Sequence, residues 1–324
     1  MMKRILKVFF AISLLVCFIF YLKATDVGAS VRLIMQLGIQ SSFILLFTFL
    51  AYLFGTLGWS YCIDSSSKSS LMQLFIIRHT GNTITLFNPA SAIAGEFFNA
   101  RMLIKKGVDE SNAYKSVVLS RLLMTFSQLF LFFMLLIWYF LFFPNRFSIG
   151  TKLFFYGGFF FLLLTCLFFL VILLKTGRFL KKENKTKKWE KVVGRMQEIH
   201  FLLAEHIRRR PKATMLAFFF FCLQWFLNSL ELFFILSFFK YNITVWESLF
   251  LDTSIILLKS TVSFIPGQLG FEELINRFSL HLVGIDSPEV WLSVSVLRRS
   301  RQLIWTGLAL FFYLSLKKQK SKMV

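Results

Sequence analysis

Residues 87–101 read F-N-P-A-S-A-I-A-G-E-F-F-N-A-R, and residues 264–277 read F-I-P-G-Q-L-G-F-E-E-L-I-N-R. Laid over one another, they match at Phe87 and Phe264, Pro89 and Pro266, Glu96 and Glu273, and Asn99 and Asn276. The offset is constant (266 − 89 = 177). It carries on without a gap to Gly107 and Gly284, Asp109 and Asp286, and Arg121 and Arg298. These are Pro, Gly and charged positions, where a bias toward Phe and Leu cannot create matches. The apolar run before each stretch also aligns, 41–61 against 218–238. The chain therefore reads as one domain, 1–324, holding two copies of a helix, broken segment, helix unit: repeat 1 over about 41–143 and repeat 2 over about 218–316.

The solvent of this domain is lipid. The chain is 56% hydrophobic with mean hydropathy +0.67, against about 45–50% apolar for a soluble domain. The excess lies in blocks. A span needs about 20 apolar residues, and six runs qualify: 5–23, 41–62, 112–143, 152–174, 212–239 and 289–316. Two further stretches, 69–106 and 245–284, are apolar but interrupted near the middle by Pro89 and by Pro266-Gly267. Proline breaks a helix, so each stretch reads as a helical hairpin, either re-entrant or two tilted spans. The expected fold class is all-α: a polytopic membrane protein of six full spans plus two Pro-broken hairpins. Met1–Leu22 resembles a signal peptide, but no small-residue cleavage site follows, and it reads as an uncleaved first helix.

Net charge is +21. In a soluble protein that balance points to nucleic acid, but no reader motif is present, and the basic residues cluster beside apolar blocks. Threading the spans puts Lys3, Arg4 and Lys7, the 175–211 loop, and Lys317, Lys318, Lys320 and Lys322 on one side. By the positive-inside rule that side is cytoplasmic. A prokaryotic inner membrane with both termini in the cytoplasm is the expected location. The same threading starts the first repeat inside and the second outside, so the repeats are inverted, a construction used by secondary transporters. In the 175–211 loop, Val192, Val193, Met196, Ile199, Leu202, Leu203, His206 and Ile207 recur at helical spacing. That amphipathic helix suits the membrane surface, and its basic flanks suit anionic lipid headgroups.

Charges at bilayer depth are costly and usually face a cavity or a partner. Arg121 and Arg298 lie about a third of the way into their helices. Thr125 and Gln128 continue a polar stripe from Arg121, and Arg301 and Gln302 continue one from Arg298. Arg121, Arg298, Arg301, Gln128 and Gln302 are therefore the candidate headgroup-binding set. The competing reading makes each arginine a structural partner of Glu96 or Glu273. Asn88 suits a helix cap and Pro89 and Pro266 the first helical position, leaving N-termini that attract phosphate or carboxylate. Glu96 and Glu273 read as counter-ions or coupling sites, with a local Glu273–Arg277 pair as the plainer alternative. Glu231, Lys259, Arg101 and Glu272 are further embedded charges without an assigned partner. No catalytic motif, cofactor motif or metal-ligand spacing occurs. Cys17, Cys62, Cys166 and Cys222 form no C-x-x-C.

At these residues the chain resembles the lysylphosphatidylglycerol synthase transmembrane-region family, also called flippase-like. Pro89–Arg101 with Gly107 and Arg121 is similar to its first motif, with Ala-Gly-Glu where Gly-Gly-Glu is common. Pro266–Glu273 with Gly284 and Arg298 is similar to its second. The resemblance implies movement of a lipid or polyprenyl-linked glycan between leaflets. The chain ends at Val324, before any aminoacyltransferase domain, so translocation rather than synthesis is expected. The alternative is a non-transporting accessory subunit of a glycosyltransferase or lipid synthase. A membrane transferase using Glu96 or Glu273 as base fits least, and the chain is not expected to be an enzyme.

Overall fold

Local chemistry sets where the helices begin and end. The computed structural model describes residues 35–64, 69–87, 94–142, 201–261, 271–281 and 283–321, with positions 32, 157, 160 and 164. The run 5–23, the run 152–174 apart from those last three positions, Asn88, Pro89, Pro266 and Gly267 lie outside the described residues. So does most of the 175–211 loop. Among the described residues every regular element is helical. Helices α1 (Ser41–Ser60), α2 (Leu71–Phe87), α3 (Ala94–Lys105) and α4 (Glu110–Phe142) form a first half. Helices α5 (Pro211–Phe238), α6 (Val245–Thr261), α7 (Phe271–His281) and α8 (Pro288–Ser321) form a second.

Both broken segments open with a reciprocal cap. Ser70 and Gln73 exchange side-chain to backbone bonds of 3.3 and 3.4 Å before α2. Thr244 and Glu247 do the same at 3.2 and 2.9 Å before α6. Each cap satisfies amide groups that the first helical turn leaves open. The helices end alike too. Gly107 and Gly284 adopt φ of 89° and 82°, a region that costs a side chain roughly 1–2 kcal/mol. Their amides bond back to Ile104 and His281, and those of Val108 and Ile285 bond back to Leu103 and Leu280. That is the Schellman closure, made twice, 177 residues apart.

Met35–Ser60, Glu110–Phe142 and Pro211–Phe238 are long and apolar enough to cross a bilayer, and the chain is a multi-pass membrane protein. α8 is longer than any of these helices, but it carries Arg298, Arg299 and Arg301 in its first half. α1 and α5 pack along one another, and they run antiparallel. Phe43 and Phe47 stack on Phe234 at one end (5.4 and 5.1 Å), and Phe54 and Tyr61 on Phe220 at the other (5.9 and 5.7 Å). Each half has its own core. Leu74, Leu103, Val108, Ala113 and Val117 are buried together in the first. Leu251, Leu280, Ile285, Val290 and Val294, their counterparts at the 177-residue offset, are buried together in the second. A third cluster, with Phe132, Leu136, Tyr139 and Phe250, holds the far half of α4 against α6.

Candidate functional site

The space left between the two halves is a cavity of about 580 Å³. The α4 stripe Arg121, Met124, Thr125, Gln128 and Leu129 lines one wall, at spacings that share a helix face. α5 adds Trp225, Asn228 and Glu231, α6 adds Asp252 and Lys259, α7 adds Glu272, and α8 adds Arg298 and Arg301. Tyr52 reaches in from α1. The wall is fixed where α4 meets α5, because Trp225 Nε1 donates to Ser127 Oγ (3.1 Å) and to the Met124 carbonyl (3.2 Å).

The cavity charges are mostly married to one another. Arg298 pairs with Asp252, and both side chains are buried. Arg301 pairs with Glu231. Lys259 Nζ donates to Glu272 Oε1 at 2.7 Å. Desolvating an ion is costly, and a buried pair stands only where geometry and further hydrogen bonds compensate it. One oxygen of Glu231 and one of Asp252 nonetheless stay buried without a hydrogen-bond partner among the described residues. Arg121 differs. Its side chain is 51% exposed and its contact to Glu96 Oε1 is 3.6 Å, longer than a charge-assisted hydrogen bond. It is the loosest cation of the cavity.

Of the residues predicted from sequence, Arg121, Gln128, Arg298 and Arg301 line this cavity together. Gln302 is half-buried on α8 and is not among the lining residues. Glu96 meets Arg121 as one of the two readings expected. The expected Arg298–Glu273 pair does not form. α7 turns Glu273 toward α8, where it meets Arg299, which is 2% exposed, while Arg298 faces α6 and Asp252. The Glu273–Arg277 alternative does not form either: Arg277 is exposed, and Glu273 is taken by Arg299. Glu231, Lys259 and Glu272 gain the partners the sequence left open. Asp252 and Arg78 were missed. Each is a charge inside an interrupted apolar stretch, which is the signal that would have found it.

Outside the cavity, His79 is buried, with Nε2 2.8 Å from the Trp305 carbonyl and its ring among Tyr52, Phe75 and Trp305. His281 pairs with Asp286 in the open. Among the described residues no group of His, Cys, Asp and Glu is placed to hold a metal, and Cys62 and Cys222 are free.

The family model described as lysylphosphatidylglycerol synthase TM region matches residues 4–310. No curated protein and no solved structure matches the chain.

Proposed function

Since the chain belongs to the lysylphosphatidylglycerol synthase TM-region family, we propose that it is a translocase for a membrane lipid or lipid-linked glycan, which binds an anionic headgroup between two inverted repeats. One observation carries the reading: a cavity of about 580 Å³ between the halves, walled by Arg121, Lys259, Arg298, Arg301, Glu231, Asp252 and Glu272. Ionisable groups at bilayer depth mark polar pathways. Arg121, half-exposed and loosely tied, is the first guanidinium open to a headgroup phosphate. Arg298 and Arg301 offer bidentate contacts once the headgroup displaces their carboxylates. The chain then moves lipid and makes no covalent bond. Its basic segments put both termini in the cytoplasm of a prokaryotic inner membrane, with the 175–211 loop against anionic headgroups.

The pairing of Arg298, Arg301 and Lys259 favours a second reading, a non-transporting accessory subunit of a lipid synthase or glycosyltransferase. A purely structural polar core would be neutralised in the same way. Reconstitution separates the two. Vesicles carrying headgroup-labelled anionic phospholipid are scored for loss of leaflet asymmetry. Wild type is expected to move the label faster than empty vesicles, and Arg121→Ala to slow it by about tenfold, the worth of a charged hydrogen bond. Wild-type rates equal to empty vesicles would leave the accessory subunit as the better account.

A further inference from the structure

Arg121 has a second side. Beyond it, away from the cavity, lies a narrow cleft of about 30 Å³ lined by Trp59, Arg78, Glu96, Asn99 and Arg121 among others. Arg78 is the unusual member. Its Nη2 donates to Gln224 Oε1 (3.1 Å), and its guanidinium carbon sits 5.6 Å from the Phe221 ring centroid. Its Nη1 is buried without a partner, and among the described residues no carboxylate lies within ion-pair distance of it. Arg298, Arg299 and Arg301 all have one. Arg78 is half-buried, and a charged guanidinium nitrogen withdrawn from water with no counter-ion is unfavourable, so an anion is the missing partner.

The surroundings are built for one. Trp59 is 2% exposed and Asn99 8% exposed, and among the described residues the Trp59 Nε1–H has no acceptor and the Asn99 Oδ1 no donor. Glu96 Oε2 likewise has no hydrogen-bond partner among them. Glycines keep the walls close. A Cβ at Gly55 would collide with Arg78 Nη1 and Gln224 Oε1, and a Cβ at Gly81 with the Asn99 amide. Open donors on Arg78 and Trp59 ask for an anionic oxygen. Open acceptors on Glu96 and Asn99 ask for a hydroxyl on the same group. A phosphomonoester has both, because its second pKa of about 6 leaves a P–OH available near neutral pH. A phosphodiester has no P–OH.

We propose that the Arg78 cleft is a phosphomonoester-binding site, separate from the inter-repeat cavity and joined to it through Arg121. The proposal goes beyond the translocase reading and does not rest on it, since a non-transporting subunit could hold the same group. The phosphoryl group comes from a lipid monoester or from free phosphate, and the test has an arm for each.

The whole chain in detergent is titrated with phosphatidic acid (a monoester), phosphatidylglycerol (a diester) and inorganic phosphate. Binding is read by native mass spectrometry and by thermal midpoint. Phosphatidic acid is expected to bind more tightly than phosphatidylglycerol, and Arg78→Gln to weaken it by about tenfold or more. Trp59→Phe keeps the ring and removes only the N–H, so it tests the site even if Arg78→Gln folds poorly. A severalfold loss is expected there. Arg277→Gln, at an exposed α7 arginine that lines neither the cleft nor the cavity, should leave this binding unchanged. Inorganic phosphate binding that depends on Arg78 supports the site with free phosphate as the source. Phosphatidic acid binding without it supports the lipid. Equal binding of monoester and diester, or binding indifferent to Arg78 and Trp59 both, overturns the proposal.

Discussion

Arg298 shows how one contact changes the meaning of a residue. Its sequence partner was Glu273, by repeat symmetry, and its structural partner is Asp252. Asp252→Asn would leave a guanidinium that is 5% exposed without its carboxylate, since Glu231 is held by Arg301. A loss of about 3–5 kcal/mol is expected. Asp252→Leu combined with Arg298→Met should recover most of it, because an apolar pair of similar volume replaces the ion pair without a desolvation cost. Thermal unfolding in detergent checks both, and an Asp252→Asn protein as stable as wild type would remove the pair from the account. The reason Asp252 escaped the sequence reading is physical. Repeat matching selects residues alike in both copies, and the counterparts of Asp252, Glu231 and Arg301 are Phe75, Phe54 and Met124. The halves share a backbone and differ in where they place charge, so the symmetric part of the site was legible and the asymmetric part was not. Arg121, Gln128, Arg298 and Arg301 were found because a charge or amide in an apolar helix needs an explanation whatever its partner.

At the scale of elements, the helices were the most legible part of the chain. The apolar runs 41–62, 112–143, 212–239 and 289–316 became α1, α4, α5 and α8 with ends shifted by a few residues. Packing of the basic loop was not legible, because spacing shows that a helix has an apolar face and not what covers it. The stretch over 201–209 is helical and docks on the first half, with Leu203 5% and His206 4% exposed. Asp64 is the clasp. It accepts from Lys115 Nζ at 2.6 Å, and it lies 3.4 Å from His206 Nδ1 and 3.6 Å from Arg210. Burial pushes Asp64 up, but the Lys115 hydrogen bond and charge, then Arg210 and His206, outweigh it and hold the carboxyl below its usual value. Its contribution is therefore full above about pH 4, near the unfolded value, and is lost as pH falls through the lower folded value. Burial and the neighbouring Lys115 push His206 down, and Asp64 offsets this only in part. The fold favours neutral His206, so stability falls as pH drops below about 6.5 toward the folded value. Thermal midpoints between pH 8 and pH 3 should show two acid limbs, with His206→Gln flattening the upper and Asp64→Asn the lower. A His206→Gln profile identical to wild type between pH 7 and pH 5 would exclude His206 as the sensor.

Over the whole molecule, the two halves are alike in backbone and unlike in how they meet. α4 lies along α5, with Trp225 bonded to Ser127 and to the Met124 carbonyl. Subtracting or adding 177 gives the matching positions in the other half: Thr48, Ile304 and Arg301. There α8 meets α1 through long side chains. Arg301 Nη1 stands 3.5 Å from Thr48 Oγ1, and Trp305 sets its ring edge on Tyr52 at 5.1 Å. Ser127 is fully buried whereas its counterpart Ile304 is 42% exposed. The α4–α5 seam is thus closed and the α8–α1 seam is open, and the charged cavity lies beside both helix pairs. In a translocase built on inverted repeats, the other end of the cycle exchanges these two arrangements. α8 then closes on α1 as α4 now closes on α5, and Ile304 comes to Thr48 as Ser127 stands to Trp225. A disulfide needs Cβ atoms about 3.5–4.5 Å apart, so it reports that approach. Thr48→Cys with Ile304→Cys is expected to cross-link in reconstituted vesicles under mild oxidant, to stop lipid movement when cross-linked, and to regain it on reduction. Each single cysteine should transport normally in oxidant. A double variant that never cross-links while transporting at the wild-type rate would mean that α8 does not close on α1. A cross-linked protein that still transports would mean that the seam takes no part in the cycle.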